Sequence, residues 1–224
     1  VSRRATLELE RAREVLDSVG GLRALVVGDL MLDEYVSGSV ERISPEAPVP
    51  VVRVERDECA VGGAANVAAN VAALGAVTEV VGLVGDDPSG ERLRRGLEQM
   101  GARTSGLVVA AERPTTVKTR VLARRQQVVR FDREDSSDVA GPLATELVRA
   151  VERAADGCDV VILEDYNKGV LVPAVIDAVR TLAGARGIPV VVDPKRLRFF
   201  DYEGVTVFKP NAKELSDALG APLE

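Results

Sequence analysis

The run Leu22-Arg23-Ala24-Leu25-Val26-Val27, followed by Gly28-Asp29-Leu30-Met31-Leu32-Asp33, decides how the chain is read. A short, continuous apolar run closed by glycine and a carboxylate suits a strand buried on both faces, as in a parallel sheet covered by helices. Four more such runs follow, at Val77–Val84, Val160–Leu163, Ile188–Val192 and Val205–Phe208. Between them lie helical stretches over Ala64–Leu74, Ser89–Met100, Pro142–Ala155 and Pro173–Ala185, and a last one starts near Asn211. An opening helix over Ala5–Val19 stops at Gly20-Gly21. The alternation predicts repeated βαβ units and an open α/β fold, a mostly parallel sheet flanked by helices.

Two segments break this pattern. Tyr35–Glu55 and Thr116–Arg133 alternate polar and apolar residues, which is the signature of strands covered on one side only. They predict a small sheet projecting from the main one, with a tight turn at Arg124-Arg125-Gln126. Such a sheet needs a cover, so it should close over a ligand, pair with another subunit, or both. The core then comprises residues 1–32, 62–115 and 134–224, and the lid residues 33–61 and 116–133.

Composition narrows the chemistry. The 224 residues carry 29 Lys+Arg and 35 Asp+Glu, a net charge of −6, with no His and no Trp. Without His there is no Ser-His-Asp or Cys-His triad and no His-based zinc site, so acid–base work falls to carboxylates, Lys, Tyr or Cys. A metal, if used, is a hard cation on oxygen ligands. The acidic balance argues against nucleic acid as a partner. Cys59 and Cys158 stand far apart and read as buried small apolar residues in a reducing compartment. The charged N-terminus holds no signal peptide, and no run reaches the ~20 apolar residues that span a bilayer. These features predict a soluble, cytosolic chain with no membrane partner.

The chain has no G-x-G and no G-x-x-x-x-G-K-[ST], so Rossmann and P-loop nucleotide sites lose their local signatures. The polar clusters instead sit where the apolar runs end, the place open α/β sheets keep their ligands. Asp29 reads equally as a turn residue or a ligand, whereas Asp33, inside an apolar run, favours function. Gly62-Gly63-Ala64-Ala65-Asn66 opens a helix of small residues; paired glycines permit close approach, and Asn66 matches a sugar hydroxyl. In Gly82–Gly90 the structural reading prevails, with Asp86 or Asp87 a helix cap and Gly85 a turn glycine. Glu164-Asp165-Tyr166-Asn167-Lys168-Gly169, Asp193-Pro194-Lys195 and Lys209–Glu214 each follow a predicted strand, and together they predict an active-site rim. Arg120, Arg124, Arg125 and Arg130 read either as a solvated strand face or as forks for an anionic substrate.

The ordered set Gly28–Asp33, Gly62–Ala68, Gly82–Gly90, Asp193–Lys195 and Pro210–Glu214 resembles the ribokinase-like (PfkB) family of sugar kinases. Ile43-Ser-Pro-Glu-Ala-Pro-Val-Pro-Val-Val52, Thr115–Arg120, Arg125–Arg130 and Asp165–Gly169 are similar, more narrowly, to the kinase domain of the bacterial heptose 7-phosphate kinases of ADP-heptose synthesis. The resemblance implies ATP-dependent phosphorylation of the anomeric C1 hydroxyl of D-glycero-D-manno-heptose 7-phosphate, on the way to lipopolysaccharide core precursors. It implies Asp33, Gly62, Gly63 and Asn66 on the sugar, with Lys118, Arg120, Arg124, Asp165 and Lys168 also on the substrate. It places Asp193, Lys195, Asn211, Ala212, Lys213 and Glu214 at the nucleotide, with Glu214 holding Mg²⁺ through water. Phosphoryl transfer of that kind runs on positioning and charge neutralisation and needs no His. The family's small sheet serves as a lid and as a homodimer interface.

Two departures accompany the resemblance. Gly62–Asn66 is one residue shorter than the wider family's G-G-x-x-A-N, though it suits the heptose group. The family's G-A-G-D segment, which carries the catalytic base, is expected downstream of Glu224, so the 224 residues by themselves are expected to be inactive. The His-containing nucleotidyltransferase fused to some heptose kinases is likewise not expected in a chain without His. The rival expectations are another sugar or sugar-phosphate kinase of the same fold, or a non-catalytic sugar-phosphate-binding or dimerisation module.

Overall fold

Strand β1 (Arg23–Gly28) shares its side chains between two helical layers, as the apolar run requires. Leu25 and Val27 pack on one side with α4 (Gly141–Ala154) and α5 (Pro173–Arg186). Val26 packs on the other with α2 (Ala64–Ala73) and α3 (Pro88–Gln99). This arrangement is seen in a computed structural model that describes residues 8–124 and 126–221. Five further strands complete the main sheet: β4 (Val77–Gly85), β5 (Arg103–Ala110), β8 (Val160–Glu164), β9 (Val190–Asp193) and β10 (Val207–Phe208). Their order is β10-β9-β8-β1-β4-β5, and every pair is parallel. The chain builds outward from β1 through β4 and β5, then returns to add β8, β9 and β10 on the other flank. The strand order therefore reverses between β1 and β8, and a crevice opens at their carboxyl ends.

Local chemistry fixes the helices. Pro88 starts α3, and the Asp87 side chain caps it by accepting from the Gly90 N–H at 2.8 Å. Helix α5 starts at Pro173 and stops at Gly187, a left-handed residue with φ 68°. The buried face of α2 is all alanine (Ala64, Ala65, Ala68, Ala69), which lets it lie close on the sheet. Helix α1 (Leu9–Val19) buries no residue; Ala5–Leu7 of the expected opening helix lie outside the described residues. No helix among the described residues is long and apolar enough to cross a membrane.

The second sheet has the order β3-β2-β6-β7, with β2 (Leu30–Ile43), β3 (Pro50–Gly63), β6 (Val117–Ala123) and β7 (Gln126–Arg133). It is rooted deeper than a boundary at residues 33 and 61: Leu30, Leu32, Val61 and Val117 belong to the core on the α2–α3 side. Pairing places Asp33, Lys118 and Asp132 in one row across β2, β6 and β7, and Tyr35, Arg120 and Arg130 in the next. The opposite face presents Val36, Val121 and Val129 in a row. Arg124 forms the expected turn with φ 58°, while Arg125 lies outside the described residues.

Strand β5 shows no continuous apolar run because, as an edge strand, it is buried on alternate residues only and begins with the polar Arg103-Thr104-Ser105-Gly106. One expectation needs correction. Cys158 is buried, and that burial pushes its thiol pKa up, but Cys59 is exposed because β3 enters the core only from Val61 onward.

Asp87 also ties the root of the lid to α3, accepting from the Thr115 N–H and hydroxyl at 2.9 Å each. Partial burial pushes its carboxyl up, but these bonds outweigh that and hold it below its ordinary value. A folded pKa below the unfolded one stabilises above the carboxylate range and is lost on acidification. Urea unfolding of Asp87→Ala should show a loss of about 2 kcal/mol at neutral pH. The difference from the native protein should narrow as the pH falls below 3.8.

Candidate active site

The crevice is shaped by two carboxylates turned inward. Gly28 ends β1 against β8 so closely that a side chain there would strike the Glu164 carbonyl. The next residue, Asp29, is 1% exposed and accepts from the Tyr166 N–H at 2.7 Å, the Lys168 N–H at 3.0 Å and the Val170 N–H at 3.1 Å. Burial pushes its carboxyl pKa up against the pull of those donors. Of the two readings open for Asp29, the structural one holds. Asp165 is buried too, with one oxygen accepting from the Asn167 N–H at 2.7 Å and the other from the Tyr202 hydroxyl at 2.8 Å. Its carboxylate therefore ties the loop to Tyr202, well along the chain.

Asp33, Gly62, Gly63 and Asn66 meet where the lid joins α2. A side chain at Gly62 would collide with the Asp33 carboxylate, so the glycine leaves that carboxylate facing bare backbone. Gly63, with φ 58°, turns the chain from β3 into α2, whose first turn has no side-chain cap and no acidic residue. Asn66 lies exposed on that turn, whose first N–H, that of Ala64, donates to the Asp29 carbonyl at 3.0 Å. Arg120 donates to Asp33 at 2.5 Å, and its guanidinium lies 5.5 Å from the Tyr35 ring centroid. Lys118 is Asp33's register neighbour and reaches Asp132 at 3.3 Å and Glu134 at 3.4 Å. Lys168 meets the same Glu134 at 2.7 Å. Arg124 does not join this group; it sits at the outer turn, its N–H donating to Gly38.

A second cluster lies at the ends of β8, β9 and β10. Lys209 pairs with Asp193 at 2.8 Å, and Lys195 pairs with Glu214 while lying 5.3 Å from the Tyr166 ring centroid. Asn211 and Glu214 form a capping box at the start of α6 (Ala212–Leu219): the Asn211 side chain accepts from the Glu214 N–H at 2.9 Å, and Glu214 accepts from the Asn211 N–H at 2.8 Å. Ala212 is the first residue of that helix, and Lys213 pairs along it with Asp217. The N-x-x-E spacing thus has a structural job of its own, which the sequence reading overlooked.

Glu164 and Lys209 were seen in sequence only as members of polar strings. Glu164 is 5% exposed, and its Oε2 has no hydrogen-bond partner. Burial, then the neighbouring Asp193, pushes its pKa up to about 7. The register explains the crowding, since Glu164 lies directly beside Asp193 on adjacent parallel strands. The signal was available in the sequence as a carboxylate closing an apolar run. Glu134, which joins Lys118 to Lys168, left no such signal.

Residues 22–224 match the pattern of pfkB family carbohydrate kinases. The chain belongs to this family. Among its curated relatives are the bifunctional protein HldE of Citrifermentans bemidjiense, 46% identical over 97% of this chain, and that of Azorhizobium caulinodans, 49% identical over 89%. The chain spans 45% and 42% of those two proteins, under half their length. Solved structures show the same ribokinase-like fold. A ribokinase from Arabidopsis thaliana, complexed with ribose and ATP, superposes with a TM-score of 0.65 at 21% identity, covering 91% of this chain and 64% of its own. The tetrameric inhibited form of phosphofructokinase-2 from Escherichia coli gives 0.70 at 21% identity, covering 91% and 66%.

In this pfkB-family chain the folded pKa of Glu164 stands above its ordinary 4.5, so its effect on stability is complete at low pH and is lost as the pH rises toward 7. Glu164→Gln should remove that loss. Measured by urea unfolding across this window, the variant should gain about 3 kcal/mol relative to the native protein. Parallel curves for the two proteins would show that Glu164 is ionised throughout.

Proposed function

We propose that the chain is the lid-bearing part of an ATP-dependent kinase that phosphorylates D-glycero-D-manno-heptose 7-phosphate at its anomeric C1 hydroxyl, giving the 1,7-bisphosphate for ADP-heptose. The observation that carries the reading is the joint of Asp33, Gly62 and Arg120, where a carboxylate faces bare backbone at the base of a polar lid. The Ile43–Val52 string and the kinship with bifunctional HldE proteins support heptose over other sugars. Asp33 would accept from sugar hydroxyls and Asn66 would both donate and accept, while Gly62 and Gly63 leave the sugar room. Lys118 and Arg120 offset the charge of the substrate's own phosphate.

The nucleotide side fits the donor set at the second cluster. Lys195 and Lys209 supply cationic donors for the ATP phosphates, beside the unpartnered Glu164 oxygen. No three His, Cys, Asp or Glu side chains converge as a metal cage among the described residues. Glu214, with Asp193 near it, would instead hold Mg²⁺ through water, and the chemistry supplied there is neutralisation of phosphate charge. The base that deprotonates the acceptor belongs, on this reading, to the part of the relatives' length that the chain does not span.

The test is made in the full-length protein. Asp33→Ala should lower kcat/KM for heptose 7-phosphate about 100-fold, and Asn66→Ala about tenfold, each with the fold intact by circular dichroism. Faster turnover of ribose or fructose 6-phosphate than of heptose 7-phosphate would replace the narrow assignment with another sugar kinase. The reading also places a second copy of the chain on the lid's apolar face, where Val129 is 48% and Phe131 57% exposed. Val129→Lys with Phe131→Lys should convert a dimer to a monomer by sedimentation velocity.

A further inference from the structure

Glu134 stands between two ammonium groups. Its Oε1 is 2.7 Å from Lys168 Nζ, and its Oε2 is 3.4 Å from Lys118 Nζ. The Ser136 hydroxyl lies 3.3 Å from Lys168 Nζ and 3.5 Å from the Glu134 Oε1. Lys118 and Lys168 are only 15% and 17% exposed, so both need an anion, while Glu134 at 25% remains reachable from solvent.

The match is incomplete in a telling way. A strong ammonium–carboxylate contact is about 2.7–2.9 Å long. Lys118 has none: it hangs between Glu134 and Asp132 at 3.4 and 3.3 Å. Asp132 is meanwhile committed to Arg130, which donates to both of its oxygens at 3.0 and 2.8 Å. Glu134 therefore meets one ammonium closely and the other only at 3.4 Å. A phosphate monoester brings three terminal oxygens and about twice the charge. Lys118 is also Asp33's direct neighbour across β2 and β6, which puts it beside the proposed sugar pocket.

Resting on the kinase reading above, we infer that Glu134 is an intramolecular stand-in for the sugar's own phosphate, which displaces it from Lys118 and Lys168 when substrate binds. Partial burial pushes the Glu134 carboxyl up, but the two lysines outweigh that and hold it ionised well below neutral pH, so the stand-in is present under working conditions. The exchange has a mechanical side. Lys118 belongs to the lid and Lys168 to the loop clamped by Asp29, with Glu134 just past the end of β7. The anion that takes its place would tie lid to core directly.

Calorimetry on the full-length protein tests this with inorganic phosphate, heptose 7-phosphate, the unphosphorylated heptose and ADP. Glu134→Gln should bind inorganic phosphate and heptose 7-phosphate about tenfold more tightly, as removal of a competing occupant requires. Its affinity for the unphosphorylated sugar and for ADP should not change. Lys168→Met, which keeps Glu134, should weaken both phosphate-bearing sugar-side probes at least tenfold. Glu134→Gln binding inorganic phosphate no better than the native protein, or tightening ADP instead, overturns the inference. So does Lys168→Met binding phosphate normally, and this arm stands even if the glutamine variant unfolds. If inorganic phosphate responds as expected while heptose 7-phosphate binds no better than ribose 5-phosphate, the stand-in holds and the heptose reading falls.

Discussion

The rest of the crevice depends on one buried carboxylate. Asp29 sits at the end of β1, where the strand order reverses, and holds three successive alternate N–H groups of the 166–170 loop. Without that clamp the loop would have buried donors with no acceptor, a cost of the order of 1–3 kcal/mol for each. The clamp also decides where Lys168 emerges, and so whether it can share an anion with Lys118 across the gap between sheet and lid. The Asp165–Tyr202 hydrogen bond pins the same loop from its other side. Two acidic residues in the mouth of an α/β sheet thus shape the loop.

Much of this fold was legible in the amino-acid order because its strongest constraint is local. A strand buried on both faces must be apolar throughout, and β1, β4 and β8 announce themselves in that way. β5 obeys the weaker rule of an edge, and half its residues face solvent, so its pattern dissolves into the neighbouring polar sequence. The lid followed from its period of two, but the depth of its roots did not. Nothing in Leu30 or Val61 distinguishes a core residue from the first residue of a projecting strand until α2 and α3 are seen to close over them.

The site was legible to a different extent. Asp33 and Asn66 stand out as residue types that packing explains poorly, and Gly62 gives the Asp33 carboxylate its room. The charged residues were harder, because the sequence says which ions exist and not which neutralise one another. Arg120 answers Asp33, Lys195 answers Glu214 and Lys209 answers Asp193. Glu134 is the extreme case, a carboxylate in a polar stretch whose meaning arises only from two lysines 16 and 34 residues away. The capping box at Asn211 shows the converse, since one motif serves helix geometry and charge placement together.

The aromatic residues have an optical consequence. The chain has no Trp and three Tyr, and each tyrosine stands at a different working part of the molecule. Tyr35 lies against Arg120 at the lid, Tyr166 against Lys195 at the second cluster, and Tyr202 is bonded to Asp165 in the loop clamp. Excited where phenylalanine does not absorb, the chain therefore emits from tyrosine. Its three sources sit at the lid, the cation cluster and the crevice floor, built in without any label.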